Sequence, residues 1–275
     1  MNKSMPRNYN TARRVDFILK FFPKLRQRIE YVGAKYHQIR ENWDYDISYN
    51  GERWLVQTLA REKLLNVVFD VGANRGDWTA MALEASPEAR VHCFEICPPM
   101  FQKLATRFAD RNIARNIFLN PFGLSDSESE IKIHYFSRGD GGGALYDIMN
   151  RGNSEIVNAK VSRGGDYCEK HHIRSIDLLK MDVEGSEHLV LRGFGDMIHP
   201  GAIPVIQFEY GMGSIVTKFL LKDFYEYFRS RGYKVGKLFP NSIRFREYRL
   251  QDENFLGPNY VAASPEMAQL LKGVA

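Results

Sequence analysis

Acidic residues in this 275-residue chain stand repeatedly where short apolar runs end. The first lies in Val67-Val-Phe-Asp-Val-Gly-Ala-Asn-Arg-Gly-Asp-Trp-Thr79, where Asp70 comes at the end of the run and a Gly72-x-x-x-Gly76 turn leads into a helical pattern. Glycine lets a ligand come close to the backbone because no Cβ intervenes. The spacing is not the Gly-x-Gly-x-x-Gly of dinucleotide folds, and an acid at that place repels phosphate but attracts an ammonium group. The pattern points to a ligand with a cationic amino-acid moiety. Glu95 closes the next run, Val91-His-Cys-Phe-Glu95, 25 residues after Asp70. A carboxylate there accepts hydrogen bonds from a ribose diol.

A third run, Ile176-Asp-Leu-Leu-Lys-Met-Asp-Val-Glu-Gly-Ser-Glu-His188, delivers Asp182 and Glu184 to the carboxyl edge of a sheet, where open α/β folds bind ligands. Asp182, Glu184, Glu187 and His188 fall within seven positions. Such a cluster is costly unless a cation or a transferable proton sits among the groups. A solvated helix start is the ordinary account of Glu187 and His188, since acids there favour the helix dipole. Glu209, closing Pro204-Val-Ile-Gln-Phe-Glu209, reaches the same edge, and Tyr210 and Gly211–Ser214 after it are expected on the acceptor side.

Together VVFDVGANRGDWT, VHCFE, FGLSD and IDLLKMDVEGSEHLVLRG followed by IQFEY resemble the FkbM-type methyltransferases. The resemblance runs from about Gly51 to Ser264, with the stretch Asp182–Glu187 as its specific part. It implies a Rossmann-like class I fold and S-adenosyl-L-methionine as cofactor. It further implies methyl transfer to a hydroxyl of a sugar, a glycan or lipid-linked saccharide, or another secondary metabolite. Glu95 is followed here by Ile-Cys-Pro-Pro, where the family commonly has proline directly. The implied cofactor pose puts Asp70 toward the methionine ammonium and the Gly72–Gly76 backbone along the methionine, with Asn74 as a hydrogen-bond partner. Glu95 holds the ribose, Ile96 flanks the adenine with Ser125 and Asp126 nearby, and the sulfonium faces Asp182. Asp182 is the first candidate for the general base an alcohol requires, then Glu184, with His188 and Glu209 behind. Alternatively, Asp182 and Glu209 hold a divalent cation that lowers the hydroxyl pKa. No compact metal-ligand triplet is visible. A nicotinamide-dependent oxidoreductase and a non-catalytic cofactor-binding module are the other function classes; the glycine spacing speaks against the first and the intact cofactor motifs against the second.

These residues need a scaffold. Apolar runs at Asn66–Val71, Arg90–Glu95, Asn116–Asn120, Ile176–Asp182 and Ile203–Glu209 alternate with helical patterns at Asp77–Ala85, Pro99–Ala109, Ser186–Gly193 and Lys218–Ser230. That alternation predicts a mostly parallel, seven-stranded sheet with helices on both faces. Between the third and fourth runs, Glu130–Phe136 and Glu155–Ser162 read as strands of an antiparallel insertion (about 127–165). The glycine cluster Gly139–Gly143, with Arg138, Tyr146 and Arg151 around it, is a candidate lid.

Composition is that of a globular protein: 44% hydrophobic, 13% aromatic and 26% charged residues exclude collagen-like and disordered classes. Residues 1–40 carry ten basic and two acidic residues, a local +8 on a chain of net +5, so the remainder is net −3. The expected organisation is therefore a basic helical arm (1–50) on a mildly acidic catalytic domain (51–275). In the arm, Val15, Ile18, Phe22, Leu25, Ile29, Val32, Tyr36 and Ile39 form one helical stripe, with Pro23 at the first turn of a second helix. The ordinary expectation is that this stripe packs on the protein's own core. The alternative is a membrane surface or self-association through residues 10–40. Nothing beyond charge supports nucleic acid. Cys93, Cys97 and Cys168 are expected to be packing residues in a reducing compartment. With no apolar run long enough to span a bilayer and no secretory signal pattern, the expected location is cytoplasmic, peripheral to the inner membrane surface.

Overall fold

Near-continuous apolar runs fold as strands buried on both faces. In a computed structural model, which describes residues 15–17, 19–110, 115–136, 142–144 and 154–273, these are β1 (Val67–Val71), β2 (Arg90–Phe94) and β3 (Ile117–Asn120). Then come β4 (Gly123–Ser125), β5 (Ser129–Phe136), β6 (Gly142–Ala144) and β7 (Glu155–Arg163), followed by β8 (Leu178–Met181) and β9 (Val205–Glu209). The chain ends with β10 (Lys234–Phe239), β11 (Ser242–Phe245) and β12 (Asn259–Ala263). The main sheet has the order β11-β10-β12-β9-β8-β1-β2-β3. Strands β3, β2, β1, β8 and β9 pair in parallel, while β12, β10 and β11 pair antiparallel. It thus holds eight strands where seven were expected: the short hairpin partner β11 extends the edge beyond β10.

Alternate residues point to opposite faces, so Phe69, Val71, Leu179 and Met181 enter one core and Val68, Leu178 and Val205 the other. The first core is closed by helices Gly164–Lys170, Glu187–Phe194 and Leu221–Arg229, the second by Glu52–Arg61, Asp77–Ala85 and Pro98–Arg107. Asp70 and Lys180 are direct neighbours across β1 and β8, and Lys180 and Gln207 across β8 and β9. A row of polar residues therefore runs through the second face. The expected helix Lys218–Ser230 begins instead at Leu221, because Lys218 takes the left-handed conformation after the short helix Gly213–Thr217.

The insertion is a second, four-stranded sheet in the order β4-β7-β5-β6. It starts at Gly123, earlier than expected, and β4 pairs with β7 in parallel while the other pairings are antiparallel. Ile133 and Ala159 pack it against Cys97 and Met100 of the helix Pro98–Arg107 segment. Of the expected lid, Gly142 and Gly143 belong to β6; Arg138, Tyr146 and Arg151 lie outside the described residues. All three cysteines are free and buried, and burial pushes the Cys168 thiol up to about 12.

The chain divides between Trp43 and Asp44, earlier than the expected boundary at 50, since Asn50 and Glu52 are already part of the buried hydrogen bonding of the larger unit. In the smaller unit Pro23 opens an 18-residue helix, Pro23–Arg40, as expected. No residue of it is buried. Ile18 lies outside the described residues.

Helix Glu187–Phe194 meets β4 where Gly193 faces the Ser125 carbonyl; a Cβ on Gly193 would stand 1.9 Å from that oxygen. Gly193→Ala is expected to force the two elements apart and cost about 1–3 kcal/mol. Urea unfolding checks this: the midpoint should fall with the slope unchanged.

Candidate active site

The strand order reverses between β1 and β8, the crevice where open α/β sheets take ligands. The turn after β1 is fixed from both sides: Gly72 and Ala73 donate to the Phe94 carbonyl (2.9 and 3.0 Å), and the Asp182 amide donates to the Val71 carbonyl (3.0 Å). Gly72 has φ +80°, and a Cβ there would lie 1.8 Å from the Asp182 carbonyl oxygen. Its glycine is thus demanded by the neighbouring strand's backbone, whatever ligand passes.

A pocket opens above this turn, enclosing about 850 Å³ up to and including its open mouth. Gly72, Asn74, Glu95, Ile96, Ser125, Asp182 and Glu184 from the expected set line it. Both oxygens of Glu95 are held by backbone: Oε1 accepts from the Cys97 amide (2.8 Å) and Oε2 from the Asn74 amide (2.6 Å). Burial pushes Glu95 up to about 7 despite these two donors. The apolar walls are Leu124 and, from the second sheet, Ile131, Ile133 and Val161. Nothing in the local sequence marked those three; the signal available was the alternation of Glu130–Phe136, whose inward residues had to face something. Ser186 Oγ, also lining the pocket, is buried and makes no hydrogen bond among the described residues. An apolar lining beside an oriented carboxylate and a hydroxyl with no hydrogen bond among the described residues fits a nucleoside.

Six expected residues stand outside that lining: Asp70, Gly76, Asp126, His188, Glu209 and Tyr210. Asp70 is fully buried beneath the turn, not in the pocket. Its Oδ2 accepts from Thr79 Oγ1 (2.7 Å) and its Oδ1 lies 3.0 Å from Lys180 Nζ, so the cation it attracts is the protein's own. Gly76 caps helix Asp77–Ala85 and Asp126 stands outside the lining, near Ser125 Oγ at 3.4 Å. His188 stacks on Phe219 at 5.1 Å and is not in the lining; burial lowers its pKa. Tyr210, expected on the acceptor side, is buried and donates to Glu253 at 2.8 Å.

The acidic edge is built unevenly. Glu187 is buried and accepts from the Val183 (3.0 Å) and Gly185 (3.3 Å) amides, tying the turn to its helix, and burial pushes it up to about 7. That is not the solvated helix start expected of it. Glu184 sits in the left-handed region (φ +55°) and lines the pocket. Glu209 is raised well above the ordinary carboxylate range, first by burial and then by Asp182, Glu184 and Glu187. A side-chain hydrogen bond with Asp182, whose side chain is 48% exposed, adds to that rise. Among the described residues no three His, Cys, Asp or Glu side chains are grouped to hold a metal ion.

Lys180 went unnoticed among these acids, although a lysine inside the apolar strand Leu-Leu-Lys-Met calls for an acidic partner. It is 4% exposed; its Nζ reaches Asp70 (3.0 Å), Asp182 (3.6 Å) and, as a donor, the Gly72 carbonyl (3.1 Å). Burial alone would lower its pKa, but Asp70, Asp182 and Glu52 outweigh that and raise it. Glu52 is held in turn by Asn50 Nδ2 (2.8 Å) and Gln207 Nε2, and Gln207 also donates to Asn259 Oδ1 (3.1 Å).

The family model described as Methyltransferase FkbM domain matches residues 70–235. Among similar proteins, 2-O-methyltransferase NoeI of Sinorhizobium fredii is 27% identical over 146 residues, covering 48% of this chain and 58% of that protein. Hexuronic acid methyltransferase AglP of Haloferax volcanii is 28% identical over 172 residues, 62% of this chain and 68% of that one. The chain thus spans less than two thirds of NoeI's length. A solved structure titled methyltransferase FkbM, from Methylobacillus flagellatus, aligns with a TM-score of 0.47 and 16% identity, over 72% of this chain and 44% of that one.

Lys180→Met leaves Asp70 buried without its cation. Thermal or urea unfolding is expected to show a loss of about 3–5 kcal/mol, and a loss below about 1 kcal/mol would mean the ion pair is not what holds the turn.

Proposed function

The chain belongs to the FkbM methyltransferase family, and on that premise we propose that it moves a methyl group from S-adenosyl-L-methionine to a hydroxyl of a sugar or saccharide-bearing acceptor. One observation carries this reading: a buried, backbone-held Glu95 and a half-exposed Asp182 line the same pocket from the ends of β2 and β8. The names of NoeI and AglP, a 2-O-methyltransferase and a hexuronic acid methyltransferase, support a sugar hydroxyl as the target. Family membership supports neither a nicotinamide-dependent oxidoreductase nor a non-catalytic module.

The cofactor, when bound, supplies an electrophilic methyl group. Glu95 would hold its ribose diol, and Ile96, Leu124, Ile131, Ile133 and Val161 its adenine. Asp70, paired with Lys180 beneath the turn, does not meet the methionine ammonium directly. The chain's own work is to place the acceptor oxygen and take its proton; good placement removes roughly 7–11 kcal/mol of barrier. Asp182 accepts that proton, with the buried Glu209 beside it. Glu184, on the other side of the turn, is placed to hold a further hydroxyl of the acceptor. The exposed Met212, Ile215 and Val216 follow directly after β9 and offer an apolar surface to an acceptor bearing a hydrocarbon part.

Ribose hydroxyls donate to an ionised Glu95, whose pKa is raised to about 7. As a raised carboxyl, it stabilises the free fold below its unfolded value and loses that contribution as pH climbs through about 7. Binding of the product S-adenosylhomocysteine should therefore tighten about tenfold from pH 6 to pH 8. Titration calorimetry checks this; Glu95→Gln should bind more weakly and show no such slope. Tight binding of NADH with none of S-adenosylhomocysteine would overturn the reading. Asp182→Asn should lower kcat by about 10²–10⁴-fold, measured with a saccharide acceptor and radiolabelled methyl donor. Unchanged turnover would remove Asp182 as the base, and turnover undiminished by EDTA would remove the divalent cation.

A further inference from the structure

We propose that the helix Pro23–Arg40 lies in the plane of an anionic lipid surface and tethers the enzyme there. The inference is independent of the methyltransferase reading. At 3.6 residues per turn, Leu25, Ile29, Val32, Tyr36 and Ile39 fall within about 40° of a common line. All five are exposed, Ile39 at 76%. Arg28, Lys35 and Lys24 lie on one side of that line and Arg40 and Arg26 on the other, about 60–100° away. Glu30 and the neutral Gln27, Ala34 and Gln38 occupy the back. Cationic stems bordering an apolar stripe are what a lipid interface rewards: the alkyl parts lie along the hydrocarbon and the charges rise to the phosphates. Exposed Phe17, Phe21 and Phe22 precede the helix, and Phe17 and Phe21 pack edge to face at 5.7 Å. Aromatic rings favour the same interfacial depth. No described helix is long and apolar enough to cross a membrane.

The stripe's spacing of four and three also matches the seam of a coiled coil, so a second copy is the competing occupant. Charge decides against it. In a self-pair the flanking positions would be Arg26, Arg28, Lys35 and Arg40, with Gly33, on both helices. In either orientation every charged contact across the seam would set cation against cation. An anionic surface instead neutralises all of them. Arg26 also meets Asp16 (3.4 Å) and Glu30 (2.9 Å) in exposed pairs, which contribute little and exchange readily for phosphate.

Co-sedimentation of the full chain with phosphatidylcholine vesicles, and with vesicles about one-third phosphatidylglycerol, tests this. Binding should favour the anionic vesicles at least tenfold and weaken as salt rises. Ile29→Glu with Val32→Glu should abolish it, and Arg28→Gln and Lys35→Gln should each weaken it roughly fivefold. All these positions are exposed, so the variants should keep the wild-type melting temperature. Equal binding to both vesicle types, or binding untouched by the stripe variants, would overturn the proposal. So would a dimer in light scattering that the stripe variants dissolve.

Discussion

A single ammonium group beneath the crevice sets most of the active-site geometry. Lys180 is buried on the central strand, and an unpaired cation in such a place costs many kcal/mol. Its compensation comes from three directions: Asp70 from the adjacent strand, Asp182 from the end of its own, and the Gly72 carbonyl from the turn between them. Satisfying the lysine therefore fixes where β1 ends, where β8 ends and how the turn passes between. Glu52 extends this field from the helix behind, and Gln207 and Asn259 carry it as hydrogen bonds to β9 and β12. The two strand ends flanking the pocket are thereby held to one buried charge.

Against that fixed cation the pocket gathers acids whose burial raises them. Glu95, Glu187 and Glu209 are all displaced upward, each with a different constraint. Glu95 is oriented by two amides, Glu187 closes a turn, and Glu209 shares a hydrogen bond with Asp182. Such positioned groups favour charge redistribution without reorganising during reaction, which is where enzymes gain most electrostatic advantage. The half-exposed Asp182 is the point at which this interior meets the pocket.

Much of this was legible because it is local. Apolar runs closed by Asp70, Glu95, Asp182 and Glu209 placed four carboxylates at strand ends, and the parallel sheet followed from alternation. Asp70 shows the limit. A short window cannot distinguish an acid open to a ligand from one matched to a lysine 110 positions away, because strand register is a tertiary fact. The adenine-side wall was hidden for a similar reason: Ile131, Ile133 and Val161 gain meaning only when the second sheet folds onto the pocket. The C-terminal strands escaped notice because β10 and β11 are interrupted by Lys237 and Arg244 and β12 is only five residues long. The basic stripe was readable as a pattern, but only its exposure separates a docking face from a core face.

The second sheet carries a consequence for divergence within such a fold. Its strand β5 contributes Ile131 and Ile133 to the pocket wall. A change that remodels this insertion therefore also moves a wall of the pocket. Grafting the insertion from one relative onto another would transplant part of that wall with it, so the insertion and the strand ends that form the rest of the pocket can change only within each other's tolerance.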